Sequence, residues 1–458
     1  MPHTIDMPGR RLNVLLLHCH DLGRFLGCYG VPTVDTPCLD QLAASGVMFS
    51  RAFSTAPQCS PSRASLFTGR FPQQNGVLGL THARFGWDLL PGERHLARLL
   101  KDHGYVTSLV GVQHESRVLP DEAVARRLGF DGVQTGGRGE IVADRAIDRL
   151  ARFAEADQPF YLQVGFREPH RLPGHRDPMG VMGFIGDHMS PYDERGVTVP
   201  GYLVDDASAR EEVAELQGAV RYMDACVGRV LTELDDLGLT DNTIVLFVTD
   251  HGLALPRAKC TLYDPGLEIA LLARAPALGW QGGRTVTDLV SGIDLVPTLL
   301  DALGLPVTAD MAGISQVPAI RGTAHRPHPA IFGQLTYHDY YDPRRCARTG
   351  SRKLIVNFSS APSIMDGSQS WHRRCTPRVA PSSLVATHPL AELYDLDTDP
   401  YEMLNVVDDP RYAADRVTLL ATLYGWLAEV DDPLLTGPVR SPAHAEAMHA
   451  LQHGMDHP

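Results

Sequence analysis

Lysine is almost missing from this chain of 458 residues; Lys101, Lys259 and Lys353 are all it has, and arginine carries the remaining positive charge. The bias is compositional, but it makes each retained ammonium group worth a question. Positive charge is scarce overall: 41 Lys and Arg face 54 Asp and Glu, a formal net charge of −13. So acidic a chain is a poor match for nucleic acid, although it can hold a local cationic pocket for a small anion. Long apolar runs are missing too, so no membrane span is expected. The start, Met1-Pro2-His3-Thr4-Ile5-Asp6, lacks a basic region followed by an apolar run. No export signal is therefore expected, and a cytoplasmic location is the default. Eight cysteines, at 19, 28, 38, 59, 226, 260, 346 and 375, share no tight spacing. That argues against a disulfide framework or a zinc knuckle.

The composition that is present is ordinary for a globular protein, with 44% hydrophobic and 21% charged residues. The length suggests one large and one smaller domain. Apolar runs expected as strands are Leu12–Leu17, Val106–Val112, Phe160–Phe166, Thr243–Thr249 and Leu267–Ala273. Between them, Thr36–Ala44, Leu96–His103, Ala207–Leu237 and Asp294–Leu303 have helical patterns, the first three closed by Gly46, Gly104 and Gly238. Strand and helix in alternation imply an α/β fold, a large, mostly parallel sheet sandwiched by helices. The pattern changes near residue 340. Arg352–Phe358 and Ala391–Leu396 are expected strands, Ala361–Ser383 a long loop and Arg416–Val430 a closing helix. This places a large domain at 1–340 and a smaller α+β domain with an antiparallel sheet at 341–458. The His-rich end, His444–Pro458, is expected to be a flexible tail with solvated histidines.

The most informative stretch is Cys59-Ser60-Pro61-Ser62-Arg63, followed by Ala64 to Arg70. Pro61 suits the first turn of a helix, Ser60 its N-cap and Gly69 its stop. Cys59 would then lie just before a helix N-terminus, where backbone N–H groups and the dipole favour an anion and lower a thiol pKa. His20 and Asp21 follow the first strand, His114 the second, His170 the third, and Asp250 with His251 the fourth. Ligands of parallel sheets bind at the carboxyl ends of strands. Four strand ends thus offer His and Asp to one crevice, and His20, Asp21, Asp250 and His251 could hold a metal.

Taken together, several motifs resemble the type I sulfatases of the alkaline phosphatase superfamily. They are Asn13-Val14-Leu15-Leu16-Leu17 leading to Asp21-Leu22-Gly23; Leu26-Gly27-Cys28-Tyr29-Gly30; Thr36-Pro37-Cys38-Leu39-Asp40; Ala56 to Arg70; Thr249-Asp250-His251-Gly252; Lys259-Cys260-Thr261-Leu262-Tyr263; and Glu392-Leu393-Tyr394-Asp395-Leu396 with Asp399-Pro400. Gln74-Asn75-Gly76, Gly79-Leu80, Pro169-His170-Arg171 and Leu262-Tyr263-Asp264-Pro265-Gly266 are most similar to the sulfamidases within that family. The resemblance implies that a formylglycine-generating enzyme oxidises Cys59 to formylglycine, whose hydrate attacks sulfur on a divalent metal, calcium by family or manganese. A small sulfated anion would be the substrate. It further implies that Asp21, Asp250, His251 and residue 59 bind the metal, and that Arg63 stabilises the hydrate. His114 would assist collapse of the sulfated intermediate, His170 would meet the sulfate or protonate the leaving atom, and Lys259 would clamp a sulfate oxygen. His338 and Asp339 would belong to the substrate pocket. A bacterial source and a homo-oligomer are compatible expectations.

Two positions depart from the family pattern. Where two adjacent Asp residues are usual, the first is His20; where Gly-Lys-x-His is usual, Gly111-Val112-Gln113-His114 stands. One change removes a negative charge and the other a positive one, so the expectation is a coupled substitution in which His20 still reaches the metal. Three activities remain open at this point: cleavage of a sulfamate, cleavage of a sulfate ester, or hydrolysis of a phosphonate or phosphate ester as elsewhere in the superfamily. A non-catalytic anion-binding protein is the alternative of a different class.

Overall fold

The computed structural model describes residues 11–117, 119–173, 182–184, 186, 189–362, 374–380, 382 and 386–454. Eight strands form the large sheet: β1 (Asn13–Cys19), β2 (Val47–Phe49), β3 (Val106–Gly111), β4 (Gly132–Thr135), β5 (Phe160–Gly165), β6 (Thr243–Thr249), β7 (Leu271–Arg274) and β8 (Arg284–Val286). Their spatial order is β8-β2-β7-β6-β1-β5-β3-β4. Strands β6, β1, β5, β3 and β4 run parallel, while β7 is antiparallel to both of its neighbours. The run expected as one strand over Leu267–Ala273 is divided. Glu268–Ile269 pairs with Ala52–Phe53 in a separate small sheet, and only Leu271 onward joins the large one.

Both faces of the large sheet are buried, which is why its strands read as unbroken apolar runs. Along β1, Leu15, Leu17 and Cys19 enter one core with the helices Gly139–Ala154 and Ala207–Asp236. Val14 and Leu16 enter the opposite core with the helices Cys59–Thr68 and Leu96–Asp102. The alternation follows the two-residue period of a strand.

A second, antiparallel sheet contains β9 (Ile331–Tyr337), β10 (Tyr341–Arg348), β11 (Arg352–Asn357) and β12 (Ala391–Asp395) in sequence order. Its first strand lies before position 340, where the sequence pattern changes. One face carries Leu335, Cys346, Ile355 and Tyr394 against Phe53, Leu262, Tyr263 and Leu267 of the larger part. The other carries Ala347, Leu354 and Leu393 under the helix Ala413–Glu429. Much of the loop expected at Ala361–Ser383 lies outside the described residues. The His-rich end, expected as a tail, is helical over Pro442–His453, and the Ala443 N–H donates to the Phe85 carbonyl. None of the eight cysteines forms a disulfide. No described helix is long and apolar enough to cross a membrane.

Candidate active site

The four strands whose ends carry the polar residues, β6, β1, β5 and β3, are consecutive in the sheet. Adjacency turns four separate sequence positions into one cluster at the carboxyl edge. Asp21 follows β1 with a left-handed φ of 53°. Its backbone N–H donates to Asp250 Oδ1 at 2.9 Å, and the His251 N–H donates to the same oxygen at 2.9 Å. One carboxylate therefore ties two strand ends together.

Cys59 sits two residues later on its helix than the sequence suggested. The helix spans Cys59–Thr68, so Cys59 is its first residue and Gln58 its N-cap. Ser60 does not cap; its hydroxyl pairs with Thr81 at 3.2 Å. Gly69 does stop the helix, with φ 70° and its N–H on the Ser65 carbonyl. Every residue of this helix is buried.

Around Cys59 Sγ lie His251 Nε2 at 3.4 Å and Asp21 Oδ1 at 3.9 Å. Burial pushes the thiol pKa up, but Lys259, then His251, and hydrogen bonds to His114 and His170 carry it well below the usual range. Lys259 Nζ donates to Asp21 Oδ1 at 3.0 Å and Oδ2 at 2.9 Å. Burial raises the Asp21 carboxyl, and Lys259 and His170 outweigh it and hold it well below its ordinary value. His170 Nε2 is 3.6 Å from Asp21 Oδ2, and its Nδ1 faces the Arg171 carbonyl.

Arg63 is fully buried. Its Nε donates to Asp250 Oδ2 at 3.1 Å, its Nη2 to the Cys19 carbonyl at 2.8 Å, and its Nη1 faces His18 Nδ1. Despite burial, His251 and Arg63 keep Asp250 ionised far below the usual carboxylate range. His251 Nδ1 meets the Gly252 carbonyl at 3.0 Å, which fixes a proton on Nδ1 and turns Nε2 toward Asp21 at 3.1 Å. The two departures also fall here. His20 Nδ1 is 3.2 Å from Asp250 Oδ2, and the ring is 4.9 Å from His114 and 5.1 Å from His170, edge-on to both. Val112 is buried, with its N–H on the Gly165 carbonyl.

Two overlapping donor groups could hold a cation: Asp21, Cys59, Asp250 and His251, and His20, Asp21, Cys59 and His170. Within each, the donor atoms lie within 4.8 Å of one another. His20 Nδ1 is buried without a well-formed hydrogen bond among the described residues, as a nitrogen reserved for a metal would be. His338 and Asp339 belong to neither group and pair with each other at 3.0 Å. The preceding carbonyl, of Tyr337, accepts from Gln58 Nε2 at 2.8 Å, which ties their turn to the start of the Cys59 helix.

Sequence reasoning missed a polar layer behind the site. Buried Glu115 accepts the His114 backbone N–H at 2.7 Å and Gln163 Nε2 at 3.2 Å, and lies 3.4 Å from His95. His18 and Gln163, polar residues inside apolar strands, were the signals of it. His82 was also missed; its ring is 5.1 Å from that of His114.

Fold and strand-end site define an α/β enzyme built to handle an anion. A family model described as Sulfatase matches residues 13–305. Human N-sulphoglucosamine sulphohydrolase is 31% identical, over 94% of this chain and 92% of its own length. Human arylsulfatase A is 28% identical, over 93% of this chain and 89% of its own. The chain belongs to the sulfatase family. Its fold matches the Bacteroides fragilis putative sulfatase yidJ with a TM-score of 0.70 at 21% identity, covering 93% of this chain and 97% of that one. The structure of BT4656 in complex with its substrate D-glucosamine-2-N,6-O-disulfate matches with a TM-score of 0.67 at 18% identity, covering 93% and 99%. The protein is a hydrolase of sulfate esters or sulfamates.

Proposed function

We propose that the protein cleaves the S–N bond of an N-sulfated amino sugar, using a formylglycine made from Cys59 by a maturation enzyme and one divalent cation. The observation that carries the reading is the setting of Cys59: the first residue of a buried helix, between Lys259, His251 and Asp21. The likeness to a sulphohydrolase of N-sulphoglucosamine along nearly the whole chain supports the choice of substrate. A cation fits the donors: each group mixes carboxylate with imidazole, which suits manganese or another transition ion beside calcium. When bound, the cation and the hydrated aldehyde would together supply an acidified hydroxyl as nucleophile.

The chain's own residues then divide the work. Lys259 neutralises a sulfate oxygen from within a buried site, where a point charge acts strongly. Asp250 is a weak proton acceptor, because its oxygens already serve two backbone N–H groups and Arg63. Its task is to hold strand ends and cation. His114 is pulled down to about 4 by burial, so it is neutral at neutral pH and can accept a proton from residue 59 as sulfate leaves. A departing amine must be protonated. His170 Nε2 faces the site while Nδ1 is engaged, so Nε2 is the atom to deliver that proton.

The test runs the matured enzyme on glucosamine N-sulfate, an aryl sulfate and a phosphonate monoester, with the mass of the Cys59 peptide in parallel. The expected result is a formylglycine at 59 and the highest kcat/KM on the N-sulfate. A preference for the phosphonate would replace this reading with phosphonate hydrolysis. An unmodified, inactive thiol in the native host would make the protein an anion binder.

A further inference from the structure

We infer that Arg257 is a positioning residue for Lys259, and that it works by fastening the Lys259 loop to the antiparallel C-terminal sheet. The inference rests on the reading of Lys259 as the sulfate clamp.

Lys259 is carried by a wholly buried loop, 253–263, between the end of β6 and the short helix Asp264–Leu267. No ladder of strand or helix bonds holds it. Two of its residues, Arg257 and Cys260, adopt φ of 63°, on either side of Lys259. Side-chain-bearing residues keep such a conformation only where their surroundings over-determine it.

Those surroundings are specific. The Cys260 N–H donates to the Pro57 carbonyl at 2.9 Å, which ties the loop to the segment entering the Cys59 helix. The Lys259 N–H donates to Leu253 at 2.9 Å, and the Thr261 hydroxyl to Ala258 at 2.7 Å. A further tie is the Arg257 side chain. Its Nη2 donates to the Glu402 carbonyl at 2.7 Å, and its guanidinium lies 4.0 Å over the Tyr263 ring. Arg257 thus grips the loop at one end and a turn of the C-terminal part at the other.

The anchor is itself rigid. Glu402 takes φ 56°, and its carboxylate accepts the Asp264 N–H. Lys353 Nζ joins Glu402 Oε1 at 3.0 Å and Asp264 Oδ1 at 2.7 Å, and Arg348 holds Asp264 Oδ2 at 2.8 Å. Tyr263 donates to Glu392 Oε2 at 2.8 Å, and Tyr394 donates to the same oxygen at 2.6 Å. Lys353, Arg348 and Glu392 all belong to the antiparallel sheet. A flexible lysine stem is aimed only as well as its backbone is held, and small displacements of a catalytic group are costly to rate.

The experiment is a double-mutant cycle in matured enzyme, reading kcat and KM on glucosamine N-sulfate and an aryl sulfate. Arg257→Ala is expected to lower kcat about tenfold or more with a smaller change in KM. In the Lys259→Ala background the same substitution should cost nothing further, because its effect passes through the ammonium. Arg257→Lys should recover part of the loss. Arg257→Gly, which adopts positive φ freely, serves if the alanine variant does not fold. Equal losses from Arg257→Ala in both backgrounds, or a wild-type kcat, would overturn the inference while leaving the clamp intact. A Lys259→Ala enzyme with full activity would instead sink the clamp reading, and this inference with it.

Discussion

Glu115 is wholly buried, and its hydrogen-bond partners among the described residues carry no like charge. Burial alone would raise its carboxyl, but His95, and then His18 and Arg63, hold it down at about 2. A carboxyl whose folded pKa lies below its unfolded value stabilises the fold above the unfolded value and ceases to do so as pH falls through the folded one. The window here runs from the ordinary value near 4.5 down to about 2. Denaturant unfolding between about pH 5 and pH 3 should therefore lose stability more steeply in the wild type than in Glu115→Gln. The difference in slope is up to about 1.4 kcal/mol per pH unit, one proton's worth. Parallel slopes would mean that the fold does not hold the Glu115 carboxyl below its unfolded value. At the same scale, a ligand role for His20, as proposed, would set the choice of metal. His20→Ala should weaken manganese binding by more than the roughly 10–100-fold typical of an outer-shell change, and calcium binding by less. Titration of apoprotein with each ion measures both; equal affinities in wild type and variant would show that His20 is no ligand.

At the scale of elements, the parallel strands were legible because each is buried on both faces and shows an apolar run ended by a polar residue. Thr243–Thr249 has the expected bounds. The site was legible for the same reason: Asp21, His114, His170 and Asp250 all follow such runs. What remained hidden was pairing. Nothing in Leu267–Ala273 announces that Ala270 interrupts it, because the interruption comes from a tertiary bond, the Ala270 N–H on the Gly23 carbonyl. Ser60 looked like a cap because hydroxyls usually are, but Thr81 captures it. The turn after β6 was read as a motif, yet its demand is steric. A Cβ on Gly252 would stand 1.7 Å from the Pro265 carbonyl oxygen and 2.9 Å from Gly266 Cα. Both are backbone and cannot rotate away. Gly252→Ala should then destabilise by at least about 1–3 kcal/mol in urea unfolding, and lower kcat by shifting the neighbouring His251. Unchanged stability would require the Pro265 turn to move freely.

For the whole molecule, the question is why a hydrolase with its site on one sheet carries a second sheet. The two are joined by buried charge rather than by apolar contact alone. Arg345 on β10 is wholly buried; its Nε meets Asp432 Oδ2 at 2.6 Å and its Nη2 meets Oδ1 at 3.1 Å. Asp432 also accepts from Gln73 Nε2 at 2.7 Å, and Gln73 precedes the Asn75-Gly76 turn of the larger part. One carboxylate thus pins the end of the helix Ala413–Glu429, the antiparallel sheet and the catalytic part. Asp432→Ala would strand a buried guanidinium, which typically costs about 3–5 kcal/mol. Because the same sheet bears Lys353 and Glu392, that loss should reach the Lys259 loop as well. The expected signature is a lower unfolding midpoint together with a lower kcat measured well below that midpoint. If activity at low temperature stays at the wild-type level while stability falls, the second sheet is a brace for the fold and does not help to aim the site.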